Sequence, residues 1–211
     1  MTDIPTPSFV QPTEQVLKKI PPTKEEMLLL PPFAGLSISQ IFVPTTMAEF
    51  VQAAAEINAA GIVGFDTESK PTFAKGEVSE GPHVVQFSTL QRAYIFQLHH
   101  KECWPIVAQL LQSKTVQKVG FSLGSDHGQI LAKLGVKVEN VLDLVTAFKL
   151  RGYRGTTGVK TAVAIVFAQY FRKSKRISTT NWSMPKLNDS QLLYAANDAY
   201  AAIKVFEGLR V

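Results

Sequence analysis

Three short stretches of this sequence set acids where acids are costly to keep. They are Asp66 and Glu68 in Gly64-Phe65-Asp66-Thr67-Glu68, Asp126 in Gly124-Ser125-Asp126, and Tyr194 with Asp198 in Tyr194-Ala195-Ala196-Asn197-Asp198. Asp66 follows Ile62, Val63, Gly64 and Phe65, so it leaves an apolar run. If that run is a strand, its period of two puts Asp66 and Glu68 on one face. Tyr194 and Asp198 are four apart and share a face if their segment is helical. Four carboxylates in one place repel strongly unless cations sit among them. Hard oxygen ligands suit Mg²⁺ or Mn²⁺, and two-cation sites of this kind cut or make phosphodiester bonds.

Each residue also has an ordinary reading. A lone Asp at a strand end is usually a cap or turn former, and Asp126 at a helix start would complement the helix dipole. Tyr194 and Asp198 read blandly as a core-edge tyrosine and a solvated acid. Asp198 has no Lys or Arg three or four residues away on either side, which favours a cation partner from elsewhere.

The elements that must position these residues follow from pattern. Residues 1–33 are proline-rich and read as an irregular arm with one short helix near residues 23–30. The domain proper spans residues 34–211. Residues 37–43 read as a strand, and Thr46-Met47-Ala48-Glu49 is a capping box opening a helix. Residues 62–66 fit a buried strand, residues 70–82 a loop, and residues 84–90 and 93–98 a hairpin. A helix over 105–111, a strand over 116–120 and a helix over 125–134 ended by Gly135 come next. A strand over 136–141 and helices over 142–150 and 159–170 follow. A basic connector leads to the last helix, from Asn188 to about Leu209. This order predicts an α/β layer architecture. Its mixed sheet has an early meander and later parallel strands.

Composition narrows the setting. The chain has 211 residues, 22 Lys and Arg against 17 Asp and Glu, and a net charge of +5. That balance permits nucleic-acid binding without demanding it. Cys103 is the only cysteine, so no intrachain disulfide forms, and a reducing cytoplasmic setting, nucleoid-associated or not, is expected. The first residues show neither a basic start nor an apolar core, so no secretory signal is expected. The longest apolar run is far short of the roughly 20 residues a membrane helix needs, so no membrane partner is expected.

Taken together, Asp66-x-Glu68, Asp126 and Tyr194-x3-Asp198 resemble the DEDDy branch of the DnaQ-like 3′→5′ exonucleases, within the ribonuclease D and Werner-syndrome exonuclease-like group. The similar stretches are Val63 to Glu68, Val119-Gly120-Phe121, and Ser178 to Tyr200 with its Asn181-Trp182, Leu187 and Tyr194-Ala195-Ala196-Asn197-Asp198-Ala199-Tyr200. The resemblance runs from about Ala34 to the C-terminus. It implies a three-layer ribonuclease H-like fold with helices on both faces of a mixed central sheet. It also implies a 3′→5′ exonuclease that uses two Mg²⁺ or Mn²⁺ ions and releases 5′-mononucleotides from DNA or RNA. Asp66, Glu68 and Asp198 would hold one ion, Asp66 would bridge to the second, Asp126 would support the second, and Tyr194 would orient the attacking water. Ser69 stands where many relatives have Trp, which bears on substrate preference.

Residues that would grip the substrate are Thr67, Phe73, Lys160, Lys173, Arg176 and Trp182. The run from Phe171 to Arg176 suits a phosphate backbone, with Trp182 available for stacking, or else is a solvated connector. Two other readings compete. Gly120-x-Ser122-x-Gly124 fits a hydrolase nucleophile elbow, but that fold needs an acid and then a His after the Ser, and the only later histidine is His127. A catalytically inactive nucleic-acid-binding or scaffolding module of the same fold is the remaining alternative, and such modules usually lose one of the acids.

Overall fold

The computed structural model describes residues 19–72 and 76–209. Six strands form one mixed sheet: β1 Ile41–Phe42, β2 Ile62–Glu68, β3 Val84–Ser88, β4 Ala93–Gln97, β5 Gln117–Gly120 and β6 Val141–Asp143. Their spatial order is β1-β4-β3-β2-β5-β6. The β2-β3-β4 meander is antiparallel, while β5 pairs parallel with β2, β6 with β5, and β1 with β4. This is the expected mixed sheet and α/β fold.

Alternation along β2 and β3 sends side chains to two cores. Val63, Phe65, Val85 and Phe87 pack with Phe50, Ala53 and Ile57 of α2 (Met47–Ala60), with Val107, Leu110 and Leu111 of α3 (Trp104–Gln112), and with Ile130 of α4 (Gly124–Leu134). On the other face lie α5 (Leu144–Leu150), α6 (Val159–Phe167) and α8 (Asp189–Leu209). Helices therefore cover both faces of the sheet. Two short helices complete the fold: α1 (Lys24–Leu28) in the arm and α7 (Lys175–Ser178) in the basic connector.

Four expectations are corrected. The strand over 37–43 shrinks to two residues because Ser37 and Gln40 close a tight turn: the Gln40 N–H donates to the Ser37 carbonyl, and Gln40 Oε1 accepts the Ser37 N–H. The strand over 136–141 begins only at Val141. Asn140 has a left-handed φ of 49°, and Val136 and Val138 pack against the α3 core outside any strand. The following helix starts at Leu144 because the Asp143 carboxylate accepts the Val145 N–H at 2.9 Å and caps it. The long helix expected over 159–170 ends at Phe167, where Ala168 turns left-handed.

The described part of the arm lies on the domain. Lys19 pairs with the backbone beside Tyr153, and Pro32 with Tyr170. Phe33 packs its ring against Phe167, Phe171 and Tyr200.

Candidate active site

Asp66 and Glu68 project from the C-terminal half of β2 toward α8. The close fit of these elements has a local cause in Gly64. A Cβ built there would fall on the Ala199 carbonyl oxygen, so only glycine lets the α8 backbone approach β2 this closely. The helix starts where pattern places it: Asn188 Oδ1 accepts the Gln191 N–H, and Gln191 Oε1 accepts the Asn188 N–H. From there the 3.6-residue repeat turns Tyr194 and Asp198 to one face.

One carboxylate oxygen from each of Asp66, Glu68 and Asp198 lies within 4.8 Å of the others. Asp66 and Glu68 are partly buried, and Asp198 is only 4% exposed. Burial, then the Asp198 charge, pushes the Asp66 carboxyl up to about 8 against the pull of Lys173. Burial and the Asp66 charge push Glu68 up to about 9, and burial raises Asp198 although Lys173 opposes it. The Tyr194 phenol is raised above its usual range, by burial first and the Asp198 charge second. Neutral, it keeps its O–H donor. Clustered hard oxygens that repel one another are the donor set a divalent cation satisfies, so these three residues fit the metal their types suggested.

Asp126 lies outside this group of three. Its Oδ1 accepts the Thr67 hydroxyl, and Thr67 alternates with Asp66 and Glu68 along β2 and so points to the opposite face. Ser69 does likewise, its hydroxyl reaching Gln129 Oε1 at 2.5 Å. Both contacts tie the end of β2 to α4. Asp126 is nevertheless close enough for its charge to raise Asp66 and Glu68. Its own carboxyl is raised by burial.

The residues named for substrate contact divide. Lys173 belongs to the site: its Nζ is 2.7 Å from Asp198 Oδ2 and 5.3 Å from the centre of the Tyr194 ring. Burial disfavours its charge, but Asp198, Asp66 and Tyr194 outweigh that and hold the ammonium above its ordinary value. Lys160, in the first turn of α6, is near enough for its charge to favour ionised Asp198. Arg176 is exposed on α7. Phe73 lies outside the described residues. Trp182 requires correction. It is 1% exposed, its Nε1 donates to the Ser178 carbonyl at 3.2 Å, and its ring packs 5.9 Å from that of Tyr194. A side chain so enclosed cannot stack on a base; it backs Tyr194 from inside the core. The Thr67 hydroxyl is likewise engaged, by Asp126.

Two positions carry more than the sequence suggested. Besides capping α5, the Asp143 carboxylate accepts the Ser122 and Leu123 N–H groups at 3.2 and 3.1 Å. It thus holds the turn, with Ser122 at φ 57°, that leads into α4 and Asp126. Ser122 of the Gly-x-Ser-x-Gly match serves this turn. Gly64 carries a sequence signal, a small residue inside an apolar strand, that marks close backbone approach. Beside Tyr194 and Asp198 a cavity of about 470 Å³ opens, walled by Phe33, Leu36, Phe171, Arg172 and Asn197.

An α/β sheet with a carboxylate cluster between a central strand and the last helix is an arrangement that can serve metal-assisted hydrolysis. The sequence model of a 3′-5′ exonuclease family matches residues 41–211. The chain belongs to that 3′-5′ exonuclease family. It is 30% identical over 151 residues to the mouse bifunctional 3′-5′ exonuclease/ATP-dependent helicase WRN, covering 70% of this chain and 11% of the mouse protein. Among solved structures, it superimposes on the Nibbler EXO domain of Aedes aegypti with a TM-score of 0.72 at 18% identity, over 84% of this chain and 91% of that one. On RNase D of Trypanosoma brucei in complex with RNA U12 the TM-score is 0.70 at 20% identity, over 88% and 64%. These two likenesses establish the ribonuclease D-like, DnaQ-like fold. Among the described residues no helix is long and apolar enough to cross a membrane.

Proposed function

We propose that this chain is a metal-dependent 3′→5′ exonuclease that removes 5′-mononucleotides from the 3′ end of DNA or RNA. The observation that carries the reading is the convergence of Asp66, Glu68 and Asp198 within 4.8 Å in a member of an exonuclease family. These three would hold one Mg²⁺ or Mn²⁺, with Asp66 shared with a second ion that Asp126 supports. Bound there, the ions would supply Lewis-acid stabilisation of charge on the attacking and leaving oxygens.

The remaining chemistry belongs to the protein's own groups. Tyr194, kept neutral by its surroundings, uses its hydroxyl to orient the attacking water against the terminal phosphodiester. Lys173 and Lys160 bring positive charge to a site otherwise lined by acids, which favours an approaching phosphate. Arg176 on α7 extends this charge outward along the strand. The half-buried setting limits bulk water, which strengthens each of these interactions.

The test uses 5′-labelled DNA and RNA, single-stranded and duplex, with Mg²⁺ or Mn²⁺. Wild type should shorten strands stepwise from the 3′ end, and Asp66→Ala and Asp198→Ala should lose this activity by at least a thousandfold. Equal digestion by the variants and the wild type would remove the assignment. The panel also reads out which polymer is cut.

A further inference from the structure

Gln86 lies in the middle of β3 with none of its surface exposed. Among the described residues, neither its Nε2 nor its Oε1 has a hydrogen-bond partner. Buried side-chain amides are nearly always satisfied, and one with both ends unmade is costlier than a hydrophobic residue of the same shape. Packing alone therefore does not account for a glutamine here.

Its place in the sheet suggests what does. The β2–β3 ladder sets Gln86 directly opposite Asp66. Directly opposed residues of an antiparallel pair project to the same face, with Cβ atoms about 4.5–5.5 Å apart. That face is the one α8 covers. Two residues before Asp66, Gly64 meets the Ala199 backbone, and Val84 and Ile95 pack with Tyr194, Ala195 and Ala196. On its other side Gln86 faces Ile95, which is apolar, so across the ladder its polar neighbour is Asp66. The Asp66 carboxylate accepts the Thr67 N–H through Oδ1 at 2.9 Å and has further lone pairs to offer.

The geometry points to Gln86 as a positioning residue for Asp66. When Asp66 turns to a cation, the Gln86 Nε2–H group donates across the ladder to the Asp66 carboxylate and fixes that carboxylate's rotation. The inference deepens the metal-site reading above and rests on it. A carboxylate that bridges two ions must present both oxygens in fixed directions, and a donor locked in the core supplies that constraint. Groups that orient metal ligands in this way typically contribute 10–100-fold in metal affinity or activity.

Gln86→Met keeps the volume and removes the amide. In the full chain, calorimetric titration with Mn²⁺ should show affinity weakened by about tenfold or more. On a labelled strand kcat should fall by a similar factor at unchanged KM, with a melting temperature at or above that of wild type. A folded Gln86→Met with wild-type Mn²⁺ affinity and kcat overturns the role. Should Gln86→Met not fold, the wild-type Gln86 carboxamide ¹⁵N–¹H signals decide. They should shift on adding Mg²⁺, and signals unmoved at saturating Mg²⁺ overturn the role. Asp198→Ala is the control. If it too binds Mn²⁺ like wild type, the metal-site reading fails and this inference with it. If it binds no Mn²⁺ while Gln86→Met is normal, only the role of Gln86 falls.

Discussion

Tyr194 has its ring against Trp182, with the Lys173 ammonium 5.3 Å from the ring centre, so its orientation is set by packing while its hydroxyl meets Asp198 and Lys173 at the site. Tyr194→Phe keeps the packing and deletes only the hydroxyl. Its kcat should fall by about 100-fold or more while Mn²⁺ affinity by calorimetry stays at the wild-type value. An unchanged rate would remove Tyr194 from the reaction. The pairing of Tyr194 with Asp198 was legible, because four residues on a helix make neighbours. The partner of Asp198 was not. Lys173 lies 25 residues upstream, in a connector whose path depends on α7 and on the packing of Phe171. The position of Trp182 was also illegible. An Asn-Trp in a polar connector looks available for stacking, and only the packing of Val84, Ile95 and Tyr194 around it shows it enclosed. Replacing a buried Trp by Ala costs about 3–5 kcal/mol, so a Trp182 variant would report on folding.

At the level of elements, the contact of α8 with β2 decides whether the site exists. Gly64→Ala would place a methyl group on the Ala199 carbonyl oxygen, forcing helix and strand apart. Overpacking of this kind costs about 1–3 kcal/mol or more, and a displacement near 1 Å can cost about 100-fold in rate. Gly64→Ala should therefore lower both the melting temperature and kcat. Gly128→Ala, in α4 with open space around its Cβ position, should do neither, since alanine favours a helix. If the two variants behave alike, the close approach is not needed. Long periodic elements such as α2, α4 and α8 were legible because burial of one helix face leaves a 3.6-residue signature. β1 and β6 were not, because each is a short strand whose limits are set by a local turn, at Ser37–Gln40 and at Asn140, in competition with pairing to β4 and β5.

For the whole molecule, gathering acids carries a stability cost that pH and metal should expose. Asp66 and Glu68 have folded values of about 8 and about 9, above the roughly 4 of unfolded carboxylates. Between those limits the native state binds more protons than the unfolded state, so its stability falls as pH rises. The metal-free melting temperature should thus lose ground from pH 6 to pH 8 relative to Asp66→Asn. That comparison cancels His83 and His99, whose lowered values act in the opposite sense. Mg²⁺ should raise the wild-type melting temperature more at pH 8 than at pH 6. A wild-type minus Asp66→Asn difference flat with pH would contradict the mutual repulsion. By itself the sequence determined the alternating strands, the helix faces, the meander and the pairing of Asp66 with Glu68 and of Tyr194 with Asp198, since each follows from periodicity within one segment. Only the tertiary structure decided that β2 and α8 meet at Gly64, that Asp126 turns to Thr67, that Lys173 joins Asp198 and that Gln86 lies opposite Asp66. Those contacts join residues far apart in the chain, and packing across the sheet, which no local pattern encodes, sets their distances.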